Sequence, residues 1–439
     1  MTLRSDITRI LRRHLVLFRS KIIGLLFESI ARLTPNRQQL LCFSSDEIGD
    51  NALALFLYLA SRLPATVSYC WLVGDPQRSR RILESESIAL PWERVLIVHR
   101  SSSAARLARA RSSVVFDTAG EYYASRAVRN YPIFVSLWHG NPIKKIGASV
   151  NNSWWMPADP DYLCTSAVRF VPYFVAGLRL KRTEVLVTGL PRNDWLTGNL
   201  TSFRQLPEIP RPFVLWMPTY ARSVGHNDNP DSYTGTDAPI GTDSLGCVTF
   251  DDLKSLESEM AATGCHLVIK FHPYDERNQM SFPALSSVTF LSADDPRLLG
   301  SGTYSLLSDS SALITDKSSV LIDYLLTGRP TAVDTVAYDL FQREDYFDLR
   351  TVCESTFKID SPTTLIDFLT AVASIPIRAR SGGHSDLNDV TEGPFCRHVV
   401  DALVTRHPEL VWLASAAPSS PKDSTVQIRS KARDNRTSE

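Results

Sequence analysis

The chain has 439 residues, enough for two domains, of which 44% are hydrophobic and 21% charged. Its formal net charge is zero, so no overall field favours nucleic acid. Seven scattered cysteines without a C-x-x-C pair argue against a disulfide framework or zinc site, and no apolar run approaches the roughly twenty residues that a membrane-crossing helix needs.

Residues 1–37 stand apart. They carry Arg4, Arg9, Arg12, Arg13, Arg19, Lys21, Arg32 and Arg37 against Asp6 and Glu28, interleaved with Ile7, Ile10, Leu11, Leu15, Phe18, Ile22, Leu25, Leu26 and Leu33. This pattern predicts a basic amphipathic helix, without the continuous apolar core or cleavage site of a signal peptide. It either packs on its own domain or lies on an anionic membrane surface, and the charge excess favours the membrane.

A first domain is expected over 38–198. Leu40–Ser44 reads as a strand, and a loop with Asp50-Asn51 leads into a helix from Ala52 to Arg62. Thr66–Val73, Val95–Val98, Ser113–Asp117 and Pro132–Trp138 read as further strands, with helices over Gln77–Glu86 and Ser103–Ala110 between them. Tyr162–Thr165 and Glu184–Thr188 follow as short strands. Such alternation argues for a parallel α/β sheet. A polar linker over 199–212 leads to a second domain over 213–394. Its expected strands are Phe213–Met217, His266–Phe271, Ser287–Leu291, Ala312–Thr315 and Thr331–Asp334. Its expected helices are Asp251–Thr263, Thr303–Ser308 and Leu365–Ala373. The segment Ser223–Thr249 is a loop of the length typical of functional lids or disordered stretches. Residues 395–415 form a helix that packs back on the first domain, and 416–439 has the composition of a disordered tail.

The unusual residues stand at strand ends, where open α/β sheets bind ligands. The strand ending at Trp138 is broken by Gly140 and Pro142, which leaves His139 exposed with Lys144 and Lys145 close behind. Gly189 and Pro191 make a turn that presents Arg192, Asn193 and Asp194. Its local sequence fits a ligand contact and a domain-closing turn with a solvated Arg equally well. Thr219, Tyr220 and Arg222 follow the Phe213 strand, and His272 follows Phe271. Asp316-Lys317-Ser318-Ser319 follows Thr315 and opens a helix, stopped at Gly328-Arg329-Pro330. A helix N-terminus with two serines can hold a phosphate, although a plain capped helix has the same sequence. No carboxylate cluster or His/Cys group at ligand spacing accompanies these positions, so no metal site is predicted. Two imidazoles, lysines, an arginine and hydroxyls at strand ends suit a phosphate-bearing ligand between two α/β domains. One His has the right ordinary pKa to take a proton from an attacking hydroxyl. Local chemistry thus points to a nucleotide-dependent transferase of the two-domain glycosyltransferase type.

Trp138-His-Gly-Asn-Pro-Ile-Lys-Lys-Ile-Gly147 resembles the W-H-G-T-P-x-K-x-x-G signature of the CDP-glycerol glycerophosphotransferase family, the teichoic acid primases and polymerases. Gly189-Leu-Pro-Arg-Asn-Asp194, Met217-Pro-Thr-Tyr220, Ile269-Lys-Phe-His-Pro273, Leu313-Ile-Thr-Asp-Lys-Ser-Ser319 and Asp323-Tyr-Leu-Leu-Thr-Gly-Arg-Pro330 follow in the family's order. The resemblance spans about Phe43 to Tyr346. It implies a GT-B fold and a peripheral enzyme on the cytoplasmic face of the cell membrane. That enzyme moves polyol phosphate from CDP-glycerol or CDP-ribitol to a hydroxyl of a lipid-linked acceptor in teichoic acid or capsule synthesis, releasing CMP. No cofactor is implied, although a divalent ion can accompany the diphosphate. On the matching positions His139 is the general base, His272 holds the pyrophosphate, and Ser318 and Ser319 cradle phosphates. The other implied substrate-binding positions are Gly140, Lys144, Arg192, Asn193, Pro218, Thr219, Arg222, Lys270, Thr315, Asp316 and Asp323.

Three departures bear on the polyol. Lys317 stands where the family usually has Tyr, an added cation that would strengthen anion binding if it faced the phosphates. Ala221 replaces the Arg that commonly follows P-T-x, with Arg222 one place later. Gln342-Arg343-Glu344 stands where an Arg-Gly pair is common. A nucleotide-sugar glycosyltransferase of the same fold, and an inactive membrane-bound scaffold, are the competing readings.

Overall fold

The computed structural model describes residues 39–86, 90–118, 132–150, 160–202, 204–219, 240–241, 243–273, 275–342, 344–353, 356–375 and 386–414, with Ile22, Leu25, Leu26 and Ser29 ahead of them. Arg222, most of the expected N-terminal helix, the greater part of the Ser223–Thr249 loop and the tail lie outside the described residues.

Strands β1 (Gln39–Ser44), β2 (Val67–Val73), β3 (Val95–His99), β4 (Val114–Asp117), β5 (Ile133–Ser136), β6 (Tyr162–Thr165) and β7 (Val185–Val187) form one sheet in the order β3-β2-β1-β4-β5-β6-β7. Strands β8 (Phe213–Met217), β9 (His266–Lys270), β10 (Val288–Leu291), β11 (Ala312–Thr315), β12 (Thr331–Asp334) and β13 (Phe357–Ile359) form a second, in the order β10-β9-β8-β11-β12-β13. Every pairing is parallel. Parallel sheets are covered on both faces, which is why their strands read as unbroken apolar runs such as Phe213-Val-Leu-Trp. In both sheets the strand order reverses beside the first strand, between β1 and β4 and between β8 and β11. The carboxyl ends of strands at such a reversal border the ligand crevice of this architecture.

The helix Asp50–Ala60 is buried from Asn51 onward. It can be apolar all round because the first sheet lies on one side and the helix Phe395–Arg406 shares its apolar cluster on the other. Asp194 fixes that last helix by accepting the amides of Phe395 (2.7 Å) and Cys396 (2.9 Å). The same cluster continues through Leu215, Val268 and Leu313 of the second sheet, so the two domains share apolar packing.

Several expected elements differ in extent. The single helix expected over 395–415 ends at Arg406, where His407 leaves the helical conformation, and is followed by a 3-10 turn over Pro408–Leu410 and a short helix Val411–Ala414. The helix expected over Leu365–Ala373 begins earlier, at Pro362, because Ser361 caps it. The strand expected to reach Trp138 ends at Ser136, because Trp138 adopts a left-handed φ of 53°. The helix expected over Asp251–Thr263 is two, Phe250–Ser255 and Glu257–Thr263, joined at Leu256. After Ser319 the α-helix runs only from Val320 to Tyr324, then tightens to a 3-10 turn over Leu325–Thr327 that Gly328 ends at φ 64°. Ser319 occupies the N-cap position with no capping bond from its side chain.

Candidate active site

The carboxyl ends of the two sheets meet around one turn, Leu137–Gly140. Asn51 holds it, donating to the carbonyls of Leu137 (3.3 Å) and Trp138 (2.8 Å). The buried Trp138 ring stacks on the His139 ring at 4.6 Å and 27°, which sets the imidazole plane while His139 stays exposed. Gly140 is required twice over. Its φ of 136° disfavours a side chain, and a Cβ there would collide with the Ser319 hydroxyl of the second domain. Gly140, next to His139, is thereby packed against the Ser319 side chain of the second domain.

From the second domain, Pro218 and Thr219 follow β8 and Asp316 follows β11, on adjacent strands at the reversal point. The buried Asp316 carboxylate accepts the Thr219 amide at 2.9 Å and the Thr219 hydroxyl. Burial raises its pKa, and the Thr219 bonds and the Lys144 charge work against that rise. Lys270 closes β9 and is buried; removal from water brings its pKa down to about 8. His272, two residues on, keeps part of its surface open but is hemmed in by protein. Burial, then the charges of Lys270, Lys144 and His139, push it down to about 3. Those influences gather four basic groups from two domains into one neighbourhood. The His272 carbonyl is anchored by the Asp275 amide (2.9 Å) and the Asn278 side chain (2.6 Å).

Other expected site residues are placed differently. Arg192 is only 5% exposed and is not the solvated turn residue. It donates to Asp50 (2.8 Å), the His139 carbonyl (3.1 Å) and Asp323 (2.6 Å), and lies 5.1 Å above the Tyr304 ring. Burial opposes its charge, but the Asp323 and Asp50 carboxylates hold it well above its ordinary pKa. Fully buried Asp323 also accepts from Tyr304 (2.7 Å) and Asn193 (3.3 Å). Arg192, Asn193 and Asp323 thus form a latch between the domains behind the cleft. The Thr315 hydroxyl donates to the Met217 carbonyl at 2.6 Å and braces β8 against β11. Lys317 turns away from the Ser318-Ser319 turn to pair with Asp345 at 2.9 Å.

Sequence reasoning passed over Asp50, Asn51 and Tyr304. Asn51 joins the His139 turn to the Arg192 turn, since its side-chain oxygen accepts the Arg192 amide at 3.1 Å. A polar pair heading an otherwise apolar helix was the signal available for it. Among the described residues, no group of three or more His, Cys, Asp or Glu side chains is placed to hold a metal ion.

A family model described as CDP-Glycerol:Poly(glycerophosphate) glycerophosphotransferase matches residues 26–379. The teichoic acid ribitol-phosphate primase of Bacillus spizizenii is 26% identical over 265 residues, covering 54% of this chain. The chain spans 61% of that primase's length. The teichoic acid glycerol-phosphate transferase of Staphylococcus aureus is 23% identical over 304 residues, 62% of this chain and 70% of that protein. Among solved structures, two of the wall teichoic acid polymerase TagF superpose with TM-scores of 0.61 and 0.59 at 16% and 17% identity. They cover 92% and 93% of this chain and 99% and 98% of theirs. That likeness is one of fold, the two facing Rossmann-like domains of the GT-B type.

Proposed function

The chain belongs to the CDP-glycerol:poly(glycerophosphate) glycerophosphotransferase family, and we propose that it transfers polyol phosphate from a CDP-polyol, glycerol first and ribitol second, to a hydroxyl of a lipid-linked acceptor in teichoic acid or capsular polymer synthesis. The observation that carries this reading is the convergence of His139 and Lys144 from one domain with Lys270 and His272 from the other. Burial leaves Lys270 short of protons, burial and the neighbouring charges do the same to His272, and a diphosphate entering beside them reverses that penalty.

In this reading His139 accepts the proton of the acceptor hydroxyl. Its oxygen bonds to the phosphorus that carries the polyol, the phosphoanhydride bond to CMP breaks, and CMP leaves with the bonding pair. Lys270, Lys144 and His272 balance the charge that gathers on the phosphoryl and departing oxygens. No resident cofactor is invoked, since these cations serve the diphosphate; a divalent ion arriving with the donor is compatible with them. Residues 1–37 would hold the enzyme at the cytoplasmic face of an anionic membrane, beside its acceptor. Ile22, Leu25 and Leu26, spaced as one helix face and 51%, 50% and 58% exposed, support that placement. A protein lacking residues 1–37 should leave the membrane fraction; continued sedimentation with membranes rules out the anchor.

The deciding experiment measures CMP release with CDP-glycerol and CDP-ribitol in parallel, on a lipid-linked acceptor. One donor should support release. His139→Ala should cut turnover by about 10²–10⁴-fold while donor affinity stays within a few-fold, because a general base acts on the acceptor. Failure to bind either donor overturns the reading in favour of a nucleotide-sugar enzyme or a scaffold.

A further inference from the structure

Lys317 is a buried cation beside the cleft that the proposed chemistry does not use. Its ammonium pairs with Asp345 and lies 4.5 Å from the Tyr338 ring centroid and 5.8 Å from that of Phe341. Tyr338 donates its hydroxyl to the same carboxylate oxygen at 3.3 Å. Asp345 belongs to a strap of the second domain that crosses to the first. The Lys145 amide donates to the Glu344 carbonyl and the Tyr346 amide to the Ile143 carbonyl, both at 2.8 Å, which makes Lys144 and Asp345 an antiparallel bridge. Lys145 and Glu344 add an ion pair. Beyond it the Tyr346 ring stacks on Tyr173 at 4.3 Å, and Arg169 covers Phe347 at 4.8 Å. The strap therefore grips the backbone on either side of Lys144. The Lys144 ammonium lies 4.7 Å from the Phe341 centroid, and its charge acts on both His272 and Asp316.

We propose that Lys317 is a positioning residue: through Asp345 it pins the 344–347 strap to residues 143–146 and so fixes Lys144 at the diphosphate position of the cleft. Lys317 need never touch the donor. Asp345 ties the strap to the same turn that carries Ser318 and Ser319, so both halves of the cleft are set from one point. The role assigned to Lys144 rests on the function proposed above, whereas the clasp itself does not.

The test separates the two. Removing one partner would strand a buried charge, so the main variant is Lys317→Met/Asp345→Asn, which removes both charges together. Hydrogen exchange of the Lys145 and Tyr346 amides, which needs no substrate, should speed up by about ten-fold or more as the strap opens. For CMP release, kcat/KM for the donor should fall by up to about a hundred-fold, as expected when a charge-bearing group loses its place. Lys317→Arg should recover most of both. Unchanged exchange at those two amides overturns the proposal, as does faster exchange with kcat/KM within two-fold of the parent. If the parent protein releases no CMP from either donor, the reading of function fails and the exchange result alone decides the clasp.

Discussion

Basic side chains at the domain interface meet two kinds of surroundings, linked where Arg192 donates to the His139 carbonyl, and the two differ in sign. Behind the cleft, Arg192 is caged by Asp50, Asp323 and the Tyr304 ring, and its charge is reinforced. In the cleft, Lys270 is buried with no carboxylate paired to it among the described residues, His272 is hemmed in near other bases, and the charges of both are suppressed. The first arrangement has its charge matched by its own carboxylates and holds the domains together. The second is costly as it stands, and on the function proposed above it becomes favourable when the diphosphate enters. Conserving a basic residue type at an interface says nothing about which of these it is; the neighbouring carboxylates decide.

The comparison breaks most visibly at the latch. Asp323→Ala would leave Arg192 buried with one carboxylate fewer and deprive Tyr304 and Asn193 of their acceptor. A loss of about 3–5 kcal/mol is expected, read as a lower midpoint in denaturant or heat. A loss under about 1 kcal/mol would mean that water reaches Arg192 and that the latch is not closed. Lys270→Met should act the other way. Because the folded protein already disfavours the Lys270 charge, removing it should cost nothing and stabilise the empty protein by on the order of 1 kcal/mol, while donor affinity drops at least ten-fold. Marked destabilisation by Lys270→Met would place Lys270 with the latch instead.

How far the sequence carries this distinction depends on distance along the chain. The places of His139, His272 and Ser318-Ser319 are legible because each lies within four residues of the end of an apolar strand, and strand ends are where local pattern marks the ligand crevice of this architecture. The doubly wound fold is legible for the same reason, since its strands and helices alternate in plain hydrophobic periods. Arg192 is not. Its partners Asp50 and Asp323 lie 142 and 131 residues away, and nothing in Gly189-Leu-Pro-Arg distinguishes a solvated guanidinium from a caged one. Lys317 carries the same lesson: beside two serines its sequence leaves open whether it faces the phosphates, and a carboxylate folded back from the strap decides that it pairs there instead. Asn51 reads as part of the loop ahead of an apolar helix, and its partners, the Leu137 and Trp138 carbonyls and the Arg192 amide, are far along the chain. Charges are matched by tertiary contacts, and those are what a local reading lacks.

The finest test of the contrast is the proton count on donor binding. In the empty protein Lys270 titrates at about 8 rather than 10.5, and His272 at about 3 rather than 6.5. For both, the folded state binds fewer protons than the unfolded chain between the two values. Stability of the empty protein should therefore rise with pH from 8 to 10.5 through Lys270, and fall as pH drops from 6.5 towards 3 through His272. A bound diphosphate lifts both values, so binding must take up protons. At pH 8, where Lys270 is about half charged, uptake of up to roughly half a proton is expected, and donor affinity should decline at higher pH. Calorimetry in two buffers of different ionisation enthalpy measures this directly. Lys270→Met should abolish the uptake at pH 8. Arg192 keeps its proton at every accessible pH, so a loosened latch should weaken binding without changing the count. Heats at pH 8 that do not depend on the buffer would mean that the diphosphate does not sit against Lys270, and the distinction between a satisfied and an anion-seeking cluster would fall.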